Sequence, residues 1–200
     1  MFLAHTARWF IKLRTRRFKG HPDKSTDLDS KKWQKLLFLA YLSSTKTPKR
    51  DYPELIPGPG FPTLAELNLT SEQLYTMTPN LQTRVVELEL ASRSDRYTNE
   101  CFTYTTANVD DVIACFNYLQ NIGSNTCAVN GDNVQFCYAG TAQISGSNIS
   151  GTSSAASRCS DVALAVQWIF TYCNVGGQVG GAAAANGNGY LVVGVENIDW

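Results

Sequence analysis

Two stretches of the chain carry apolar residues at helical spacing. Val109, Val112, Ile113, Phe116 and Leu119 form one stripe, with Asn108 placed to cap it, Asp111 set where a carboxylate meets the positive helix end, and Gly123 closing it. Val162, Ala165, Val166, Ile169, Phe170 and Cys173 form the other, with Ser160 or Asp161 as its cap. Elsewhere the period drops to two. Val134 to Ala139 alternates so that Val134, Phe136 and Tyr138 share one face and Cys137 takes the opposite one. Thr141 to Ser145 reads as a second strand after a bend at Gly140, and the Ser, Gly and Ala run from Ser145 to Ser157 reads as a flexible loop. Gln178 to Ala184 and Gly189 to Val195 are two more strands, joined through Asn186-Gly-Asn-Gly189. The order helix, two strands, helix, two strands predicts an α+β two-layer sandwich. Its antiparallel sheet would hold about four to five strands, with two helices packed on one face.

Upstream the patterns weaken. Residues 1 to 35 are highly charged with poor periodicity, and Asp51 to Pro62 is rich in proline and glycine, which reads as an extended linker. Thr70-Ser71-Glu72-Gln73 can open a short helix that continues to Met77 and stops at Pro79, and Gln82 to Leu90 alternates like a strand although the same residues suit a helix. The chain therefore divides into a basic leader, targeting region or incorrectly extended start (1–50), a Pro/Gly linker and prosegment (51–96), and a cysteine-rich α/β domain (97–200).

Charge sharpens that division. The first fifty residues hold thirteen Lys or Arg against three acids, whereas residues 51 to 200 hold four basic residues against fourteen acids. An acidic C-terminal region repels phosphates, which argues against a nucleic-acid partner for that domain. Lys31-Lys32-Trp-Gln-Lys35, then Leu36 to Leu42, then Ser43-Ser44-Thr45 has the layout of an internal export signal. Lys49-Arg50 reads equally as a dibasic pair that a secretory processing protease can cut and as the end of the basic run. No apolar run reaches the length of a membrane span.

The six cysteines, Cys101, Cys115, Cys127, Cys137, Cys159 and Cys173, all fall in the last hundred residues, with separations of 14, 12, 10, 22 and 14 and no close CxxC pair. That spacing favours three disulfides over a metal site and places the product in an oxidising compartment. The fifteen possible pairings stay open. Asn68-Leu-Thr70 and Asn148-Ile-Ser150 match the N-glycosylation pattern.

Candidate chemistry is sparse. Both histidines, His5 and His21, precede the cysteine-rich domain, so neither a Ser-His-Asp triad nor a Cys-His pair can form inside it. Asp110, Asp111, Asp132, Asp161 and Glu196 are the carboxylates to test as a hydrolytic pair, although helix ends and turns account for the four aspartates. No catalytic, cofactor-binding or metal-binding residue is assigned. Trp168 reads as core or as a half-exposed contact residue, and Tyr104, Tyr118, Tyr138, Tyr172 and Tyr190 as amphipathic surface. Gly180 to Ala185 lacks the lysine and spacing of a phosphate loop.

Cys101, Asp110-Asp-Val-Ile-Ala-Cys-Phe-Asn-Tyr-Leu119, Val134-Gln-Phe-Cys-Tyr-Ala-Gly140, Cys159-Ser-Asp-Val-Ala163 with Gln167 to Cys173, and Gly187 to Val193 together resemble small secreted cysteine-rich fungal proteins. The pattern is similar to the necrosis-inducing effector domain and, more distantly, to killer toxins of α/β sandwich fold, over about residues 97 to 197. The resemblance implies export, a disulfide-bonded sandwich and toxicity toward another cell, and it carries over no catalytic residue. The function expected is that of a secreted, non-enzymatic effector or toxin-like protein that binds a protein or polysaccharide on a host or competitor surface. A cell-wall or carbohydrate-binding structural protein is the alternative. An auxiliary or enzymatic role in secondary metabolism is the third.

Overall fold

The four prolines and two glycines between residues 53 and 62 permit an extended backbone, and the chain there is extended but tied down. In the computed structural model, which describes residues 51–81 and 96–199, Leu55–Pro57 forms a short strand, β1, at the border of a sheet. A sheet border tolerates proline because one side of the strand needs no donor. The following helix, α1 (Ser71–Thr76), matches its expected start. Thr70 accepts from the Gln73 amide at 3.2 Å while the Gln73 side chain accepts from the Thr70 amide at 2.8 Å.

Beyond residue 96 the elements run β2 (Glu100–Cys101), β3 (Ala107–Asn108), α2 (Val109–Asn121), β4 (Thr126–Asn130), β5 (Asn133–Ala139), β6 (Ala142–Asn148) and β7 (Ser154–Arg158). They continue through α3 (Cys159–Tyr172), β8 (Asn174–Val175), β9 (Gln178–Val179), β10 (Gly181–Ala185) and β11 (Asn188–Asn197). The largest sheet has the order β1-β5-β6-β11-β10-β2 and is antiparallel throughout, with a three-stranded sheet β3-β9-β8 and a two-stranded ribbon β4-β7 beside it.

Register shows how the helices sit. Cys137, Ile144, Val195 and Gly181 lie opposite one another across β5, β6, β11 and β10 and so share a face. Cys137 is bonded to Cys115 of α2, and a side chain on Gly181 would meet Ile169 and Cys173 of α3. Both helices therefore cover the same face, where Leu191, Val193, Val195 and Ala183 are fully buried against them. Phe116 and Phe170 join the two helices edge to face, with ring centres 5.4 Å apart.

The α+β class and three disulfides are present, while the counts need correction. The main sheet has six strands rather than four or five, because the short β1 and β2 extend its borders without any alternation long enough to read. A third helix, α1, packs on α2 through the fully buried Leu74. The Ser145 to Ser157 run is mostly strand: β6 continues to Asn148, and β7 is held by pairing with β4, which small polar residues do not advertise. In β5 a bulge between Gln135 and Cys137 buries Phe136 and Cys137 together, so the expected strict alternation fails there. Gly146, opposite Val134, leaves room for the Phe136 ring that this bulge turns inward. Finally, α3 starts at Cys159 with Arg158 at the cap position and no side-chain cap, two to three residues before the expected cap at Ser160 or Asp161. The Gln82 to Leu90 alternation, the 31–45 export pattern and Lys49-Arg50 lie outside the described residues.

Candidate functional site

The disulfides pair Cys101 with Cys173, Cys115 with Cys137, and Cys127 with Cys159, with Cα separations of 5.2, 5.8 and 5.0 Å. Each ties a helix to a strand: the end of α3 to β2, the middle of α2 to β5, and the start of α3 to β4. No cysteine is free. Sequence separation could not choose among the pairings because the choice depends on which strands lie under which helix.

The first bridge also organises an aromatic surface. Cys101 leads directly into Phe102 and Tyr104, whose rings stack with centres 5.4 Å apart. Cys173 ends α3, whose last turns carry Trp168 and Tyr172 in tilted contact at 5.2 Å. One covalent bond thus joins the roots of two aromatic pairs. Val175 follows at 78 % exposure, with Tyr104 at 63 % and Tyr172 at 50 %, three of the four most exposed large apolar side chains among the described residues. Trp168 is half-buried, packed on the core on one side and on Tyr172 on the other. Tyr118, expected at the surface, is instead fully buried and donates to the Pro62 carbonyl at 2.8 Å; burial, with the negative charge of Glu66, pushes its phenol up to about 12. Tyr190 carries the Arg96 guanidinium 4.2 Å above its ring, and Tyr138 is half-buried in β5.

The carboxylates are explained one by one. Asp111 is buried and accepts from the Thr141 amide at 2.8 Å, the Thr141 hydroxyl at 2.9 Å and the Tyr75 hydroxyl at 2.8 Å. Asp110 is exposed in the first turn of α2, where its amide donates to Asn108, confirming that cap. Asp161 accepts from the Ser157 hydroxyl at 2.9 Å, Asp132 is exposed in the turn after β4, and Glu196 stands on β11 opposite Gln143. Among the described residues no group of three or more His, Cys, Asp or Glu could hold a metal ion, and no helix is long and apolar enough to cross a membrane.

Of the two glycosylation candidates, Asn68 is exposed in a left-handed turn at φ 52°, whereas the Asn148 side chain is engaged with Thr152 and Ser150. Sequence reasoning passed over Phe102 and Val175, and also a groove of about 480 Å³ between the Pro59 to Phe61 turn and strands β4 and β5. The available signal was Thr126, Ala128 and Asn130, alternating with the buried Cys127 and Val129 and therefore sharing β4's outward face.

No curated protein and no solved structure matches the chain. The family described as Domain of unknown function (DUF8794) matches residues 94–197, from just before β2 to the end of β11, and the chain belongs to that family.

Proposed function

We propose that this protein is an exported, non-enzymatic binding protein of effector or toxin type, acting on a surface component of another cell. The observation that carries the reading is the aromatic surface rooted at the Cys101–Cys173 bridge, where Phe102, Tyr104, Trp168, Tyr172 and Val175 stand on two chain segments clamped by one disulfide. Tyr and Trp are favoured at binding hot spots because they combine large contact area with a polar tip, and exposed apolar clusters mark interaction surfaces. Three disulfides within one domain suit an extracellular environment.

The test applies purified, oxidised protein to plant tissue and to competing fungal cells, beside a Tyr104→Ser/Tyr172→Ser variant. Cell-surface retention and cell death that the variant loses are the expected result. A full-length chain kept inside the producing cell with free thiols, shown by mass spectrometry without reduction, overturns the proposal. Retention on insoluble glucan or chitin without harm to any cell favours the cell-wall alternative.

A further inference from the structure

The groove beside β4 and β5 has a chemistry of its own. Thr126 and Asn130 from β4 and Asn133 and Gln135 from β5 line it, and none of these four side chains forms a hydrogen bond to another described residue. Several other asparagines of the domain are committed to the fold: Asn108 caps α2, Asn117 holds the last carbonyls of α1, and Asn188 and Asn197 bridge strands and turns. Four amide and hydroxyl groups that do no such work line this one concavity. Its apolar part is Ala128, Val134 and the half-buried Phe61, whose ring is fixed edge-on against Phe136 at 5.7 Å.

No charged side chain lines the groove, and the nearest cation by register is Arg158, opposite Thr126 at one end of the β4-β7 ribbon. A neutral partner rich in paired donors and acceptors is what such a lining recognises. Each Asn or Gln offers two N–H donors and a carbonyl acceptor in one plane, matching adjacent sugar hydroxyls, while an aromatic ring packs against the C–H face of a pyranose. A volume of about 480 Å³ holds one to two sugar rings, and an open trough suits a chain passing through rather than an enclosed small molecule.

The geometry points to this groove as a binding site for a neutral oligosaccharide, held by Asn130, Asn133 and Gln135 against Phe61. The assignment deepens the surface-binding reading by naming a glycan as one component recognised, at a place separate in sequence from the aromatic surface.

The experiment titrates the isotope-labelled full chain, followed by amide NMR, with hexasaccharides of β-glucan, chitin and mannan, each to about 10 mM, since open glycan sites bind weakly. Shifts confined to residues 60–61, 126–130 and 133–135 with at least one sugar are expected, with affinity weakened about tenfold in an Asn130→Ala/Gln135→Ala variant. These side chains make no hydrogen bonds to other described residues, so the variant should keep the wild-type melting profile. No response to any of the three sugars, shifts located elsewhere, or binding undiminished in the variant overturns the assignment. Sugar binding in a protein that harms no cell would uphold the groove and sink the toxin reading; toxicity without sugar binding would do the reverse.

Discussion

The Tyr75 hydroxyl donates to Asp111 across 2.8 Å, joining a helix that precedes the family-matched region to the first turn of α2 inside it. Asp111 is 7 % exposed, and its other partners are the Thr141 amide and hydroxyl at the β5-β6 bend. A buried carboxylate that loses one of three donors is left under-satisfied, so Tyr75→Phe should cost about 1.5–3 kcal/mol. Urea denaturation would show this as a lower midpoint at unchanged slope.

Gly140 stands at that same bend with φ 50°, and a Cβ there would collide with the Asp111 carboxylate. Gly140→Ala combines left-handed backbone strain with overpacking, a cost of about 2–5 kcal/mol. Its midpoint should fall at least as far as that of Tyr75→Phe.

Alkaline pH should weaken the fold. Burial raises the Tyr75 phenol, reinforced by its hydrogen bond to Asp111, and burial holds Tyr118 at about 12, both above the ordinary 10. Both side chains are neutral in their protonated form, so the folded chain keeps protons that the unfolded chain releases. Stability is thus fully present below pH 10 and declines as pH rises from 10 toward and past 12. Tyrosinate absorbance should lag in the native protein, and Tyr118→Phe should flatten the alkaline fall in the urea midpoint.

Removing the bridges one at a time should rank them by the loop each closes. Separations of 72, 32 and 22 residues correspond to about 4.4, 3.7 and 3.4 kcal/mol of lost chain entropy in the unfolded state. The Cys115/Cys137 and Cys127/Cys159 pairs are both completely buried, so their Ser/Ser replacements add the cost of hydroxyls in the core and should destabilise by more than that ranking gives, whereas the Ala/Ala versions, and either replacement of the partly exposed Cys101/Cys173 pair, should keep to it. Calorimetry of the six variants decides this.

Residues 51–81 should be needed for full stability. Leu74 is fully buried, Asn117 donates to the Leu74 and Met77 carbonyls at 2.8 and 3.2 Å, and Tyr118 donates to Pro62. Leu74→Ala should cost about 2–5 kcal/mol. A chain starting at residue 96 leaves Asp111 and Asn117 without these partners and should refold from reduced material in lower yield; equal yields would show that the segment is dispensable for folding.

The helices were legible because both carry long apolar stripes, and the three disulfides were legible from the cysteine count and spacing. What stayed hidden has physical reasons. β7 is built of Ser, Ala and Arg, and its place comes from pairing with β4 rather than from its own alternation. The Phe136 bulge depends on Gly146 of the neighbouring strand, a relation between residues ten apart. The groove joins a turn at residue 60 to strands near 130, and its residue types are ordinary for loops until they are seen to bond nothing.

All three bridges lie between residues 101 and 173, and none reaches the 51–81 segment. A cut at Lys49-Arg50 would leave that segment covalently attached, but a cut between 82 and 95 would convert one molecule into a two-chain complex held by β1, Leu74, Tyr75 and a few hydrogen bonds. Integrity then becomes a matter of mass action: such a nicked protein would stay whole where it is concentrated and shed its smaller chain on dilution, baring the β5 border of the sheet only there.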